Sequence, residues 1–154
     1  MSRTKKILLV LLIVFAIMQL IQPARNQNGR VLSTDITKLY AMPGKVLSVL
    51  QTACYDCHSN STHYPWYSRI QPGAWLLASH IKKGKADLNF SRFGDYSNRK
   101  QQGKLQAIAN SITDGTMPIR SYTLIHRDAK LSAADRVLIL DWVNTTRDSL
   151  SLKN

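Results

Sequence analysis

Hydrophobic and polar positions divide the chain into a basic head, one unbroken apolar run, a polar stretch and a series of apolar stripes at helical spacing. Met1 to Lys6 carries Arg3, Lys5 and Lys6. Ile7 to Met18 is then wholly apolar, and Leu20 and Ile21 extend the run past Gln19. Basic then apolar is the order of a secretory signal. No small-x-small cleavage site follows in Gln22-Pro23-Ala24-Arg25, and no cysteine stands there to mark a lipoprotein. The run is short of the roughly 20 apolar residues that a spanning helix needs. Snorkelling by Lys5 and Lys6, with the semi-polar Gln19, can close the gap. The pattern favours an uncleaved signal anchor over residues 1–22, with a cleaved peptide as the other outcome; either way the chain is exported. Basic residues ahead of the run place the N-terminus in the cytoplasm, against a weaker contrary pull from Arg25 and Arg30.

Pro23 to Ser33 is polar with Pro, Asn and Gly, the signature of a linker, and residues 23–36 are assigned to it. Residues 37–154 then form one domain. Thr34 to Tyr40 reads as a short helical turn or an extended arm. Pro43 suits the first turn of a helix, on which Val46, Leu47, Val49 and Leu50 make an apolar face running into Cys54. Ser59 to Thr62 is a polar loop, followed by the aromatic cluster Tyr64-Pro65-Trp66-Tyr67. Ala74 to Lys83 has helical spacing and Gly84 offers a stop. Leu88 to Asp95 reads as loop. Asn98 to Thr113 is a further helix with Leu105, Ile108 and Ile112 inward; Gly103 weakens it and Gly115 ends it. Ser132 and Asp135 nearly match a capping box. The stripe Val137, Leu138, Leu140, Trp142 and Val143 is expected to pack on the Pro43–Ala53 helix. From Thr145 onward the chain is polar and expected to fray. The fold class expected is all-α.

Composition changes this picture little. The 154 residues leave room for one domain and an anchor, and 44% hydrophobic content supports a real core. The net charge of +12 raises nucleic-acid binding. Basic residues are scattered, however, with no basic helix stripe and no recognised nucleic-acid motif, so that class is set aside. Without Arg3, Lys5 and Lys6 the basic residues still outnumber the acidic ones two to one. Such a surface suits an acidic protein partner or an anionic membrane.

The chemistry concentrates in Cys54-Tyr55-Asp56-Cys57-His58. These are the chain's 2 cysteines, and they stand in a C-x-x-C-H pattern, the attachment motif of c-type haem. Two thiols three residues apart fit one helical turn, so each can add to one haem vinyl group. His58 then projects beneath the porphyrin as the proximal iron ligand. The covalent attachment places this domain on the exported side, in agreement with the topology. A dithiol redox site wants a βαβ setting, which the helical flanks do not supply. Zinc held by Cys54, Cys57, His63 and His80 lacks two compact ligand pairs.

A second segment, Asp114-Gly115-Thr116-Met117-Pro118, puts a methionine in a Gly/Pro-framed loop between helices. Thioether sulfur is a soft neutral donor that favours reduced iron, which makes Met117 the candidate distal ligand. His63, His80 and His126 compete for that position, and an open position is the other alternative. The Tyr64-Pro65-Trp66-Tyr67 aromatics are expected to wall the pocket, and the last helix to cover the haem edge.

Together, the C-x-x-C-H helix, the Gly-x-Met-Pro loop and the closing helix look like a small monohaem cytochrome c. More specifically, Cys54 to Trp142 resembles the bacterial haem-binding domain family of anchored, exported proteins. The residues that carry this are Ala53-Cys54-Tyr55-Asp56-Cys57-His58-Ser59-Asn60, Tyr64-Pro65-Trp66-Tyr67-Ser68, Leu88-Asn89-Phe90-Ser91, Met117-Pro118 and Leu131-Ser132. The resemblance implies a cytochrome c-like domain around one covalent haem c. Cys54 and Cys57 would be the thioether residues, His58 the proximal iron ligand and Met117 the distal one. It also implies single-pass attachment to the bacterial inner membrane, with the haem domain in the periplasm. It brings no substrate. An electron carrier with redox-protein partners is the expected function, more so than an enzyme. A haem sensor or small peroxidase-like enzyme with a displaceable sixth ligand is the alternative, and a haem-free zinc or dithiol module the third.

Overall fold

The apolar run forms helix α1 (Arg3–Met18), whose first turn is capped by the Ser2 hydroxyl accepting from the Lys5 amide. In the computed structural model, which describes residues 1–152, no residue of α1 is buried. Its 16 residues span about 24 Å at 1.5 Å each. Among the described residues no helix is long and apolar enough to cross a membrane.

The following polar stretch lies along the domain. The Asn26 side chain donates to the Ser59 carbonyl and the Thr62 hydroxyl, both at 2.9 Å, and accepts from Lys85. A single antiparallel bridge pairs Gln27 with Ser61. The Asp35 carboxylate then caps α2 (Ile36–Leu39) by accepting from the Thr37 amide and hydroxyl.

Three further helices build most of the core. Helix α3 (Gly44–Ala53) buries Val46, Leu50 and Ala53 at i, i+4 and i+7 and leads into α4 (Tyr55–His58). Helix α6 (Asn98–Thr113), at its expected limits, buries Leu105, Ala109 and Ile112; Gly115 follows it with φ of 67°, the left-handed conformation that stops a helix. Helix α8 (Ala133–Ser151) lies mainly against α6, and also against α3. The buried Gln101 is satisfied: it accepts from the Tyr40 hydroxyl and donates to the Tyr96 carbonyl. Trp142 donates its indole N–H to the Ala41 carbonyl at 3.1 Å. Helix α7 (Arg120–Thr123) is short, and the peptides Gln71–Pro72 and Met117–Pro118 are cis.

Three expectations are corrected. Leu88 to Asp95 is not simple loop: Phe90–Asp95 is a 3₁₀ turn. That geometry puts positions i and i+3 on one side, so Phe90 and Phe93 both enter the core. Each fully buried ring contributes about 1.5–3 kcal/mol. The last helix does not fray at Thr145. It continues to Ser151 because Thr146 and Leu150 extend its buried stripe. Gly84 does not end its helix either. Helix α5 (Gly73–Asp87) runs straight through it, because a Cβ at Gly84 would stand 2.7 Å from the Cys57 carbonyl oxygen. Only a residue without a side chain lets α5 lie that close to α4.

Two helical glycines should therefore respond oppositely to alanine. Gly84→Ala pushes backbone against backbone and should destabilise by about 1–3 kcal/mol, read as a lowered Tm. Gly103, exposed on α6 with nothing near a Cβ, should gain up to about 1 kcal/mol as Gly103→Ala. The capping box of α8 is complete: Asp135 accepts from the Ser132 hydroxyl at 2.7 Å and the Ser132 amide at 2.9 Å. These bonds hold the Asp135 carboxyl below its usual range. Its contribution is thus present above the unfolded carboxylate's pKa and fades as pH falls through the folded value. Urea titrations of Asp135→Asn and the parent should differ at neutral pH, begin to approach each other only below about pH 4, and converge as pH falls through the lowered folded value.

Candidate functional site

The C-x-x-C-H segment is a helical turn. Cys54 closes α3 and precedes α4, and the His58 amide donates to the Cys54 carbonyl at 3.0 Å. Both thiols are half-buried. Burial, with the charge of Cys57 adding to it, pushes the Cys54 thiol up to about 12. Burial, with the Asp56 carboxylate adding to it, pushes Cys57 up to about 11. In the closed fold both are neutral S–H groups at physiological pH.

His58 is held by a contact that periodicity could not reveal. Its Nδ1 lies 3.0 Å from the Leu88 carbonyl oxygen. A carbonyl only accepts, so Nδ1 carries a proton, and in the neutral imidazole the lone pair is on Nε2. This is the arrangement in which a ligating histidine is normally oriented and made more basic. Leu88 is brought there as the residue that follows α5, its amide bonded to the Gly84 carbonyl at 2.8 Å. Phe90 stands edge-on to the imidazole and stacks against Tyr55 at 5.0 Å.

Two adjoining cavities, of about 220 and 280 Å³, meet at this turn and share Ala53, Cys54, His58, Asp87, Met117 and Pro118 as walls. The first continues along α6 past Ile108 and Ile112 to Leu88 and Phe90. The second passes Cys57, His80 and Tyr122. Met117 is thus on the same cleft as His58. Lys104 borders one side and Lys83 the other.

The residues present fit a haem. A mostly apolar cleft borders both thiols, an imidazole with a free Nε2 and a thioether. Lys83 and Lys104 at its margin suit propionate carboxylates, while Asp87 also lines it and its backbone carbonyl accepts from Lys104. The competing histidines separate. His80 lines the cleft, whereas His63 and His126 border a different, polar depression together with Asp56 and Asp128. Among the described residues no three His, Cys, Asp or Glu side chains gather to hold a metal ion, so the zinc quartet does not assemble.

Two expectations about the walls are corrected. Trp66 is 82% exposed, and none of Tyr64, Trp66 and Tyr67 lines the cleft. The aromatic walls are Phe90 and Tyr122 instead. No residue of α8 borders it either, because α8 is taken up by α6. Sequence reading also missed a clasp. The Tyr122 hydroxyl donates to Asp56 Oδ2 at 2.7 Å, and the His63 amide donates to Asp56 Oδ1 at 2.8 Å. Burial, then the Asp56 hydrogen bond and charge, keep the Tyr122 phenol protonated well above its usual range. Tyr122 also stacks on His126 at 4.2 Å, whose Nε2 meets the Tyr67 hydroxyl at 2.7 Å. The x position of the motif thus fastens the segment that carries Met117.

A family model described as a haem-binding domain matches residues 13–145. No curated protein and no solved structure is similar enough to add to that match. With a match over most of its length, and a cleft whose donors and walls suit that cofactor, the chain belongs to the haem-binding domain family.

Proposed function

We propose that this protein is a monohaem c-type cytochrome, tethered to the membrane by α1 and passing single electrons on the exported side. One observation carries the reading: His58, its Nδ1 tied to Leu88, stands one helical turn from two thiols on a cleft that also holds Met117. In that reading Cys54 and Cys57 form the thioethers, His58 Nε2 is the proximal ligand and the Met117 sulfur the distal one. The bound haem supplies one-electron iron chemistry. The chain's part is to orient the imidazole, to present a soft ligand that favours ferrous iron, and to keep water out with Phe90, Ile108 and Ile112. The basic surface favours acidic redox partners, with no role for nucleic acid. The apolar α1 favours the bacterial inner membrane and a periplasmic domain.

A second reading has support in His80, which lines the cleft beside Met117. Met117 is 39% exposed. A displaced Met117 would leave an open or histidine-ligated iron, as in a haem sensor or a small peroxidase-like enzyme.

Optical spectra of the protein matured with haem decide between them. The expected spectrum is low-spin with the weak far-red sulfur-to-iron band; in Met117→Ala that band should vanish and the reduction potential fall. A high-spin spectrum, or rapid carbon monoxide binding to the reduced parent, would favour the sensor or enzyme. Covalent attachment has its own readout. Haem should stay with the parent chain on a denaturing gel, and should be lost from Cys54→Ser/Cys57→Ser.

A further inference from the structure

The foot of α1 is bolted to the domain. Gln71, 1% exposed, donates its amide side chain to the Ile21 carbonyl at 2.8 Å, and its backbone amide donates to Gln19 Oε1 at 2.9 Å. Trp75 donates its indole N–H to the same Ile21 carbonyl at 3.0 Å, and the Gln22 side chain donates to the Arg69 carbonyl at 3.1 Å. The apolar surface of α1 therefore continues onto a fixed patch of the domain rather than hanging from a loose tether.

That patch is apolar and cationic. Trp66 and Arg69 are the first and last residues of one 3₁₀ turn, Trp66–Arg69, so their side chains share a side. Ile70 follows at 43% exposure, and Leu76, next to Trp75, is 58% exposed. Arg25 and Arg69 border a cavity of about 360 Å³ at the joint. None of the chain's 9 acidic residues falls within 1–34 or 57–86, the two stretches that form this face.

We propose that this face, with Trp66, Ile70 and Leu76 flanked by Arg25 and Arg69, lies on the surface of an anionic lipid bilayer. The inference rests on the membrane-tether reading and adds an orientation to it. Exposed tryptophan prefers the interface between headgroups and acyl chains, and Arg69, with Arg25 (which also borders a depression holding Asp35 and Asp56), would be drawn to anionic headgroups. The apolar part of α1, Ile7 to Met18, spans about 18 Å and is shorter than a hydrocarbon core of about 30 Å. Such a helix draws its flanks down into the interface, and the flank here is this patch. On α5, His80 and Lys83 follow Leu76 at i+4 and i+7 and line the haem cleft. The cleft thus begins about one turn beyond the bilayer contact.

The test uses the full, haem-matured chain in vesicles of phosphatidylcholine and phosphatidylglycerol. Single nitroxides are placed at Trp66→Cys, Ile70→Cys, Leu12→Cys and Val137→Cys, and the protein is kept in the ferrous state. The expected result is that labels at 66 and 70 meet oxygen more readily than a water-soluble nickel reagent. The label at 12 should show this more strongly, and the label at 137 the reverse. Label 12 in lipid with 66 and 70 open to nickel would overturn the orientation and leave the tether standing. A label at 12 open to nickel would overturn the tether itself. Labels at 66 and 70 shielded from both reagents would mean that protein covers the face, and would overturn the bilayer contact.

Discussion

The backbone contact between α5 and the Cys54–His58 turn sets the rest of the site. Because Gly84 has no side chain, α5 lies against the Cys57 carbonyl, and the residue that follows the helix, Leu88, arrives within hydrogen-bonding distance of His58. One missing Cβ therefore governs which imidazole nitrogen is free. A helix set even a side chain's width further away would leave Nδ1 without its carbonyl and the tautomer undetermined. The same approach puts Phe90 beside His58 and closes the cleft on the α6 side.

The opposite wall depends on a different kind of force. The strip from Met117 to Tyr122 has little buried apolar area of its own, with Met117 exposed and α7 only four residues long. It is fastened by the Tyr122–Asp56 hydrogen bond, a neutral phenol on a carboxylate, which is stronger than a neutral pair. Stacking on His126 adds to the clasp. One side of the cleft is thus shaped by close packing, the other by a polar clasp.

Much of this was legible in the sequence, for reasons that can be named. Helix α6 has an amphipathic stripe and a glycine beyond its end, and both signals are local. The start of α8 is written in Ser132 and Asp135. That Cys54, Cys57 and His58 share one turn follows from their spacing, and the structure brings Met117 to the same cleft. What periodicity misdirected was Gly84, since a glycine that ends a helix and one that admits a neighbour look the same along a chain. The aromatic run at residues 64–67 was misplaced because apolar character does not say which surface it faces. The His58–Leu88 and Asp56–Tyr122 bonds join residues 30 and 66 positions apart, beyond the reach of any local pattern.

The seating of Gly84 on Cys57 also bears on how the protein comes into being. With α5 in place, the Cys57 side is covered by helix backbone, and both sulfurs sit as protonated thiols facing the cleft. A thiol held in its protonated form is the weaker nucleophile. In the covalent reading proposed above, thioether bonds to these sulfurs would form more readily before α5 docks. The docked α5 would then cover the Cys57 side of such an attachment.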